Sequence, residues 1–227
     1  MTPCLHAASS RPWVERLAAL LLPLIVAALA LPAPSAQAQT YTSPNAGPFR
    51  TLSDGADSKL MLLGYDAVAY FKQNDAVKGD PAIKAEHLGV TWRFASEANK
   101  AAFLKEPDKY MPQFGGFCAN GINYAVPWGA GGGPDTWRIY RGKLYVFGGQ
   151  ASRDQFEMET ELNLQRAHHY WNDEVAGSNA VVERIKRLVF RVPHYKTDKA
   201  LQEEWEAKLA AKTLPVMPGA PQAVPAR

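Results

Sequence analysis

From residue 39 onward the chain holds one cysteine, Cys118, so no internal disulfide can staple the fold. The other cysteine, Cys4, sits in an N-terminal leader. About 190 residues must therefore be held together by an apolar core alone, and an aromatic content of 11% supplies the bulk for one. The same fact singles out the thiol. If the leader directs export, Cys118 lives where thiols are oxidised into pairs, with no partner in its own chain.

The leader has three parts. Arg11 and Arg16 form a basic start, Leu17 to Leu31 is an apolar stretch of 15 residues, and Ala36-Gln37-Ala38 is a cleavage signature before Gln39. A membrane anchor needs about 20 apolar residues, and Pro23 interrupts this shorter run. Residues 1–38 are expected to be a cleaved signal peptide, leaving no stable membrane span and a bacterial periplasmic or secreted protein. The cut carries no cysteine, so no lipid anchor is expected. From Gln39 onward 23 basic residues face 21 acidic ones, too even a balance for a nucleic-acid partner.

Hydropathy and turn residues predict α+β architecture: a small antiparallel sheet of hairpins packed with helices, then a C-terminal helical extension. Residues 39–58 read as a flexible arm, 59–175 as the domain, 176–212 as the extension and 213–227 as a disordered tail. Ala67 to Phe71 is a short apolar run suited to a buried strand. Ile83–Glu86 and Val90–Phe94 form an expected hairpin across His87-Leu88-Gly89, with Val90, Trp92 and Phe94 on one buried face. Ser96 caps a helix from Glu97 whose apolar side is Ala98, Ala101, Ala102 and Leu104, and Pro107 stops it. Thr136–Tyr140 and Lys143–Phe147 flank the hairpin turn Arg141-Gly142. Ser152 and Gln155 match a capping box opening helical sequence to about Val175. Val181, Ile185, Leu188 and Val192 define a helical face expected to pack on the domain, with Arg184, Lys186, Arg187 and Arg191 in solvent. Residues 181–191 are the expected docking place for any acidic or protein partner or lipid headgroup. Thr197 or Asp198 starts a last helix carrying Leu201, Trp205 and Leu209.

Cys118 follows a Gly115-Gly116 turn, which places its sulfur near the start of a short helix. There the partial positive charge favours thiolate, the form that acts as nucleophile and metal ligand. The plain alternative is a small buried residue among aromatics. His168 and His169 are adjacent on a helix and diverge by about 100°, so both do not easily reach one ion. His169 and Asp173, four apart, share a face. One imidazole at the helix end and one in solvent is the structural expectation; His168 or His169 joining Cys118 to hold copper or zinc is the functional one. The glycine run 129–133 lacks the Lys-Ser/Thr ending of a phosphate loop and reads as a connector.

Four motifs carry a family resemblance: Gly64-Tyr65-Asp66-Ala67-Val68-Ala69-Tyr70-Phe71, Gly89 to Ser96, Phe103-Leu104 with Pro107-Asp108-Lys109-Tyr110, and Gly115 to Ala119. In order and spacing the chain resembles the YHS-domain family over residues 59–175, and most of all its exported bacterial branch. The resemblance implies a small α+β domain related to the TRASH-type modules of heavy-metal handling proteins. Metal-binding relatives carry two cysteines at positions that match Ala95 and Asn99 here, so that site does not carry over. Cys118 stands where the exported branch places cysteine or selenocysteine, an exchange suited to a nucleophile, redox centre or soft-metal ligand. Tyr65, Asp66, Tyr70, Tyr124, Trp137 and Trp171 are the candidate pocket residues around it. Three functions follow as expectations: a soft-metal protein, a thiol-redox protein served by an outside thiol, or a non-catalytic module holding a small ligand or partner.

Overall fold

A computed structural model describes residues 49–128 and 136–215, all within one compact unit, Gln39–Arg227. The expected signal peptide with Cys4, residues 39–48, the glycine run and the tail from 216 lie outside the described residues.

The described part of the arm is tied down, which corrects the expectation of a flexible segment. Strand β1 (Thr51–Leu52) pairs antiparallel with β2 (Leu60–Met61). Asp54 and Asp57 reach across to Arg93. Strands β3 (Asp80–His87) and β4 (Val90–Phe94) form the predicted hairpin. Its turn is Leu88-Gly89 alone, both at positive φ (53° and 73°), as a two-residue turn matching the strand twist requires. The sheet order is β1-β2-β4-β3, with β2 and β4 parallel, so it is not wholly antiparallel as expected. Strand β4 lies inside the sheet and all five of its residues are buried, not one face. Arg93 is taken inside because the arm's carboxylates cover it.

The run predicted as a strand at Ala67–Phe71 is instead helix α1 (Ala69–Lys72). Asp66 decides this, accepting Val68 N–H at 2.8 Å and Ala69 N–H at 3.4 Å, the bonding of a helix cap. A short apolar run carries no periodicity to separate the two outcomes. Helix α2 (Glu97–Lys105) starts as predicted, with Ser96 Oγ accepting Asn99 N–H at 3.2 Å. Its buried residues are Phe103 and Asn99, while Ala98, Ala101 and Leu104 are exposed. One aromatic ring in contact with Trp92 (4.7 Å) and Phe94 (5.2 Å) outweighs several alanines. Pro107 ends α2 and opens the single turn α3 (Pro107–Tyr110).

Strands β5 (Trp137–Tyr140) and β6 (Lys143–Val146) turn at Arg141-Gly142 (φ 49° and 71°). Their hairpin separates two cores. Leu144 and Val146 face a cluster with Trp92, Phe94 and Phe103, whereas Tyr145 and Phe147 face one with Phe114, Ile122 and Trp171. The period of two along β6 thus feeds both sides.

Short helix α4 (Ala119–Asn123) follows the Gly-Gly turn, and the second core is closed by α5 (Gln150–Glu157) and α6 (Thr160–Tyr170), with a π turn at Trp171–Val175. The predicted capping box is not used. Helix α5 begins two residues before Ser152, which frees that hydroxyl for the thiol.

Helix α7 (Ala180–Val189) is rotated opposite to expectation. Glu183 and Arg187 are buried, while Val181, Ile185 and Leu188 face out; Val192, past the helix end, is buried as expected. Lys186 and Arg187 pair with Glu174, and Arg184 donates to Pro127 O from Nε and Nη2 at 2.9 and 2.7 Å. These polar anchors, not apolar burial, orient the helix. Helix α8 (Asp198–Ala210) is capped by Thr197 as predicted, burying Leu201 and leaving Leu209 exposed.

Gly79 lies backbone to backbone against Arg93. A Cβ there would sit 2.6 Å from Arg93 C and 2.8 Å from its carbonyl oxygen. Gly79→Ala is expected to cost about 1–3 kcal/mol, read as a lower midpoint of denaturant unfolding.

Candidate functional site

Cys118 is positioned by its backbone. The preceding turn runs through positive φ at Phe114, Gly115 and Gly116 (56°, 57° and 79°), reversing the chain before α4. Cys118 N–H donates to Trp128 O at 3.1 Å, and residues 112–118 run beside β6 with bridges Pro112–Leu144 and Cys118–Val146. The left-handed Phe114 is held by rings of Tyr145 (5.8 Å), His168 (4.9 Å) and Trp171 (5.8 Å). The thiol is thus fixed by both the loop and the hairpin.

Two polar groups meet the sulfur. Gly148 N–H donates to Sγ at 3.1 Å, and Ser152 Oγ lies 3.1 Å from it. Cys118 as a whole is only 4% exposed, yet it lines a cavity of about 940 Å³. Asn120, Tyr124 and Trp128 form one wall, and the segment Gly148–Ser152 with Gln155 forms the floor. Asn120 Nδ2 donates to Gln155 Oε1 at 3.2 Å. Burial pushes the Tyr124 phenol up to about 12, so it remains a neutral O–H at neutral pH.

The third wall comes from the supposed extension, through Leu188, Arg191, Tyr195, Lys196, Asp198, Lys199 and Gln202. It belongs to the site. Three cations face one acid there. Lys196 is paired with Glu204, and Lys199 lies 3.7 Å from Glu203. Arg191 sits over the Tyr195 ring at 4.5 Å and has no carboxylate partner among the described residues.

The candidate ligands fall elsewhere. His168 is half-buried, its Nε2 3.4 Å from Tyr145 Oη, and burial lowers its pKa. His169 is exposed and pairs with Asp173 at 2.6 Å. Neither lines the Cys118 cavity, and among the described residues no three His, Cys, Asp or Glu side chains gather where they could hold one ion. His194 is nearer the site, 2.8 Å from Asn123 O and stacked on Tyr124, with its pKa lowered chiefly by burial.

Of the candidate pocket residues, Tyr124 lines the cavity; Tyr65, Asp66, Tyr70, Trp137 and Trp171 do not. Tyr70 and Trp137 pack edge to face at 5.1 Å in the first core, and Trp171 belongs to the second. Tyr65 lies beneath Lys78. Asp66 is fully buried, and its Oδ2 accepts Ala95 N–H at 2.8 Å and Asn99 Nδ2–H at 2.7 Å. Ala95 and Asn99 therefore both donate to a structural carboxylate.

Gly148, Ser152, Asn120, Gln155 and Arg191 were not expected at the site. Ser152 and Gln155 did stand out, as a capping pair, but nothing local in the chain links residues 30 and 34 positions apart. The chain matches no family model, no curated protein and no solved structure.

Proposed function

We propose that this is an exported, YHS-like thiol protein in which Cys118 reacts reversibly with small oxidants and thiols entering the cavity. The observation that carries the reading is the sulfur itself: it lines an open cavity, with the Gly148 N–H donating to it and the Ser152 hydroxyl within hydrogen-bond distance, able to donate to a thiolate. A thiolate accepts such bonds more strongly than a neutral thiol does. In the first step the thiolate attacks a peroxide oxygen. An S–O bond forms, the O–O bond breaks, and the leaving oxygen takes a proton to depart as water or an alcohol. An outside thiol then attacks the sulfenic sulfur, forming a mixed disulfide and releasing water. A second outside thiol releases Cys118 by exchange. Two thiols are oxidised for each peroxide reduced. The outside thiol is required because residues 39–227 hold no other cysteine.

The alternative of a soft ion, copper or zinc, held by Cys118 fits less well. Among the described residues the thiol's polar neighbours are a hydroxyl and an N–H, no second thiolate or imidazole lines the cavity, and an N–H is not a ligand.

The test uses the chain from Gln39, treated with hydrogen peroxide and then reduced glutathione and read by intact mass. Wild type is expected to gain one oxygen and then one glutathione, and Cys118→Ser to gain neither. Ser152→Ala is expected to react about tenfold more slowly, the worth of one hydrogen bond to a charged group. A folded protein that forms no adduct, and whose thiol iodoacetamide reaches only after unfolding, would sink the proposal. Stoichiometric Cys118-dependent capture of Cu(I) or Zn(II) with no peroxide product would favour the metal instead.

A further inference from the structure

Helix α7 displays its apolar side to solvent. Val181, Val182, Ile185, Leu188 and Val189, on a helix of 10 residues, and Phe190 just past its end are each between 56% and 69% exposed. Single exposed apolar residues are ordinary, but a contiguous patch on one helix face marks an interaction surface. The rotation is not free to reverse, because turning the helix over would pull Arg184 from Pro127 O and Lys186 and Arg187 from Glu174. Two large aromatics flank the patch. Trp128, 50% exposed, lies under Arg184 at 5.4 Å, and Tyr195, 39% exposed, lies under Arg191.

The charge around this face is net positive: Lys186 and Arg187 share Glu174, while Arg184 and Arg191 have no carboxylate partner among the described residues. The helix carries a single acid, Glu183, and it is buried. Lys186 keeps 41% of its side chain in solvent, and Arg191, one turn on, is exposed. An apolar stripe with aromatic flanks and cationic edges is the pattern of a helix lying in a lipid interface. Pairing with a second copy is the weaker fit. Two such faces in a twofold pair would set two net-positive edges against each other, since the one acid on each helix, Glu183, is buried.

We propose that the outward face of α7 docks on an anionic lipid surface, the six apolar side chains among the acyl-chain ends and Lys186 and Arg191 toward the phosphates. Leu188 and Arg191 also line the Cys118 cavity, so this surface adjoins that site.

Flotation with vesicles tests this on the chain from Gln39, one compact unit, so that the apolar leader makes no contribution. Binding is expected to vesicles of equal parts phosphatidylglycerol and phosphatidylcholine, to weaken with added salt and to be slight on phosphatidylcholine alone. V182S/I185S/V189S, confined to exposed positions, is expected to lower the partition coefficient about tenfold with an unchanged unfolding midpoint. Absence of vesicle binding, or equal binding by the triple variant, overturns the proposal. So does a concentration-dependent dimer that the triple variant dissociates while neither protein floats, since a second copy would then be the occupant.

Discussion

Asp66→Ala is expected to lower the free energy of unfolding by about 3–5 kcal/mol. The carboxylate is fully buried and accepts from Val68 N, Ala69 N, Ala95 N and Asn99 Nδ2. Alanine would leave three donors facing a void, since Ala69 N–H keeps the Asp66 carbonyl at 3.1 Å, and each unsatisfied buried donor costs about 1–3 kcal/mol before relaxation. The loss is also topological, because this one side chain ties the start of α1 to the end of β4 and the first turn of α2. Asp66→Asn keeps one acceptor oxygen but turns an amide N–H₂ toward donors, so an intermediate loss is expected. Urea unfolding followed by tryptophan fluorescence measures both. Because Asp66 belongs to the first core, folded Asp66→Asn should keep its Cys118 reactivity. A loss of reactivity with unchanged stability would contradict the structural role assigned to this carboxylate.

The second large effect is expected at Arg93. Its Nη1 lies 2.6 Å from Asp54, its Nε and Nη2 2.9 and 2.6 Å from Asp57, and Lys84 reaches Asp57 at 2.7 Å. Arg93→Met keeps the apolar stem but leaves buried Asp57 with Lys84 as its cation, for an expected loss of about 3 kcal/mol. The cluster also sets an acid response. The Asp54 carboxyl is pulled from 3.8 to about 2, first by the Asp57 backbone N–H and then by Arg93. Asp57 is lowered by its hydrogen bond to Lys84 and next by Arg93. Both carboxylates bind protons less readily folded than unfolded, so their contribution is complete above the unfolded pKa. It is lost as pH falls from about 4 toward 2. Thermal midpoints across that window should fall steeply for wild type and less steeply for Arg93→Met. Parallel profiles would show that the cluster does not govern acid stability.

Local rules left clear marks in the chain. Ser96 and Thr197 cap the helices they precede, Pro107 ends one helix and starts another, and Leu88-Gly89 and Arg141-Gly142 turn their hairpins. Each signal spans a few residues and needs no distant partner. Cys118 could be picked out the same way, as the lone thiol after a Gly-Gly turn. Mixed helix and strand with two hairpins follows from such marks.

Which way an apolar face points is not decided locally. The apolar run at Ala67–Phe71 became a helix start because Asp66 gained partners 29 and 33 residues away. Helix α7 turned its charges inward because Glu174 and the Pro127 carbonyl waited there, and a hydropathy pattern carries no record of such partners.

The chain by itself thus determined where several of its elements begin and end, that no disulfide joins them from residue 39 on, and that one thiol stands apart. Tertiary structure alone decided that thiol's company: Gly148 and Ser152 at the sulfur, no histidine lining its cavity among the described residues, and a third wall drawn from the C-terminal helices. The physical reason is range. Caps and turns are satisfied within one or two turns of backbone, whereas a cavity is made by segments that meet only after two cores have packed.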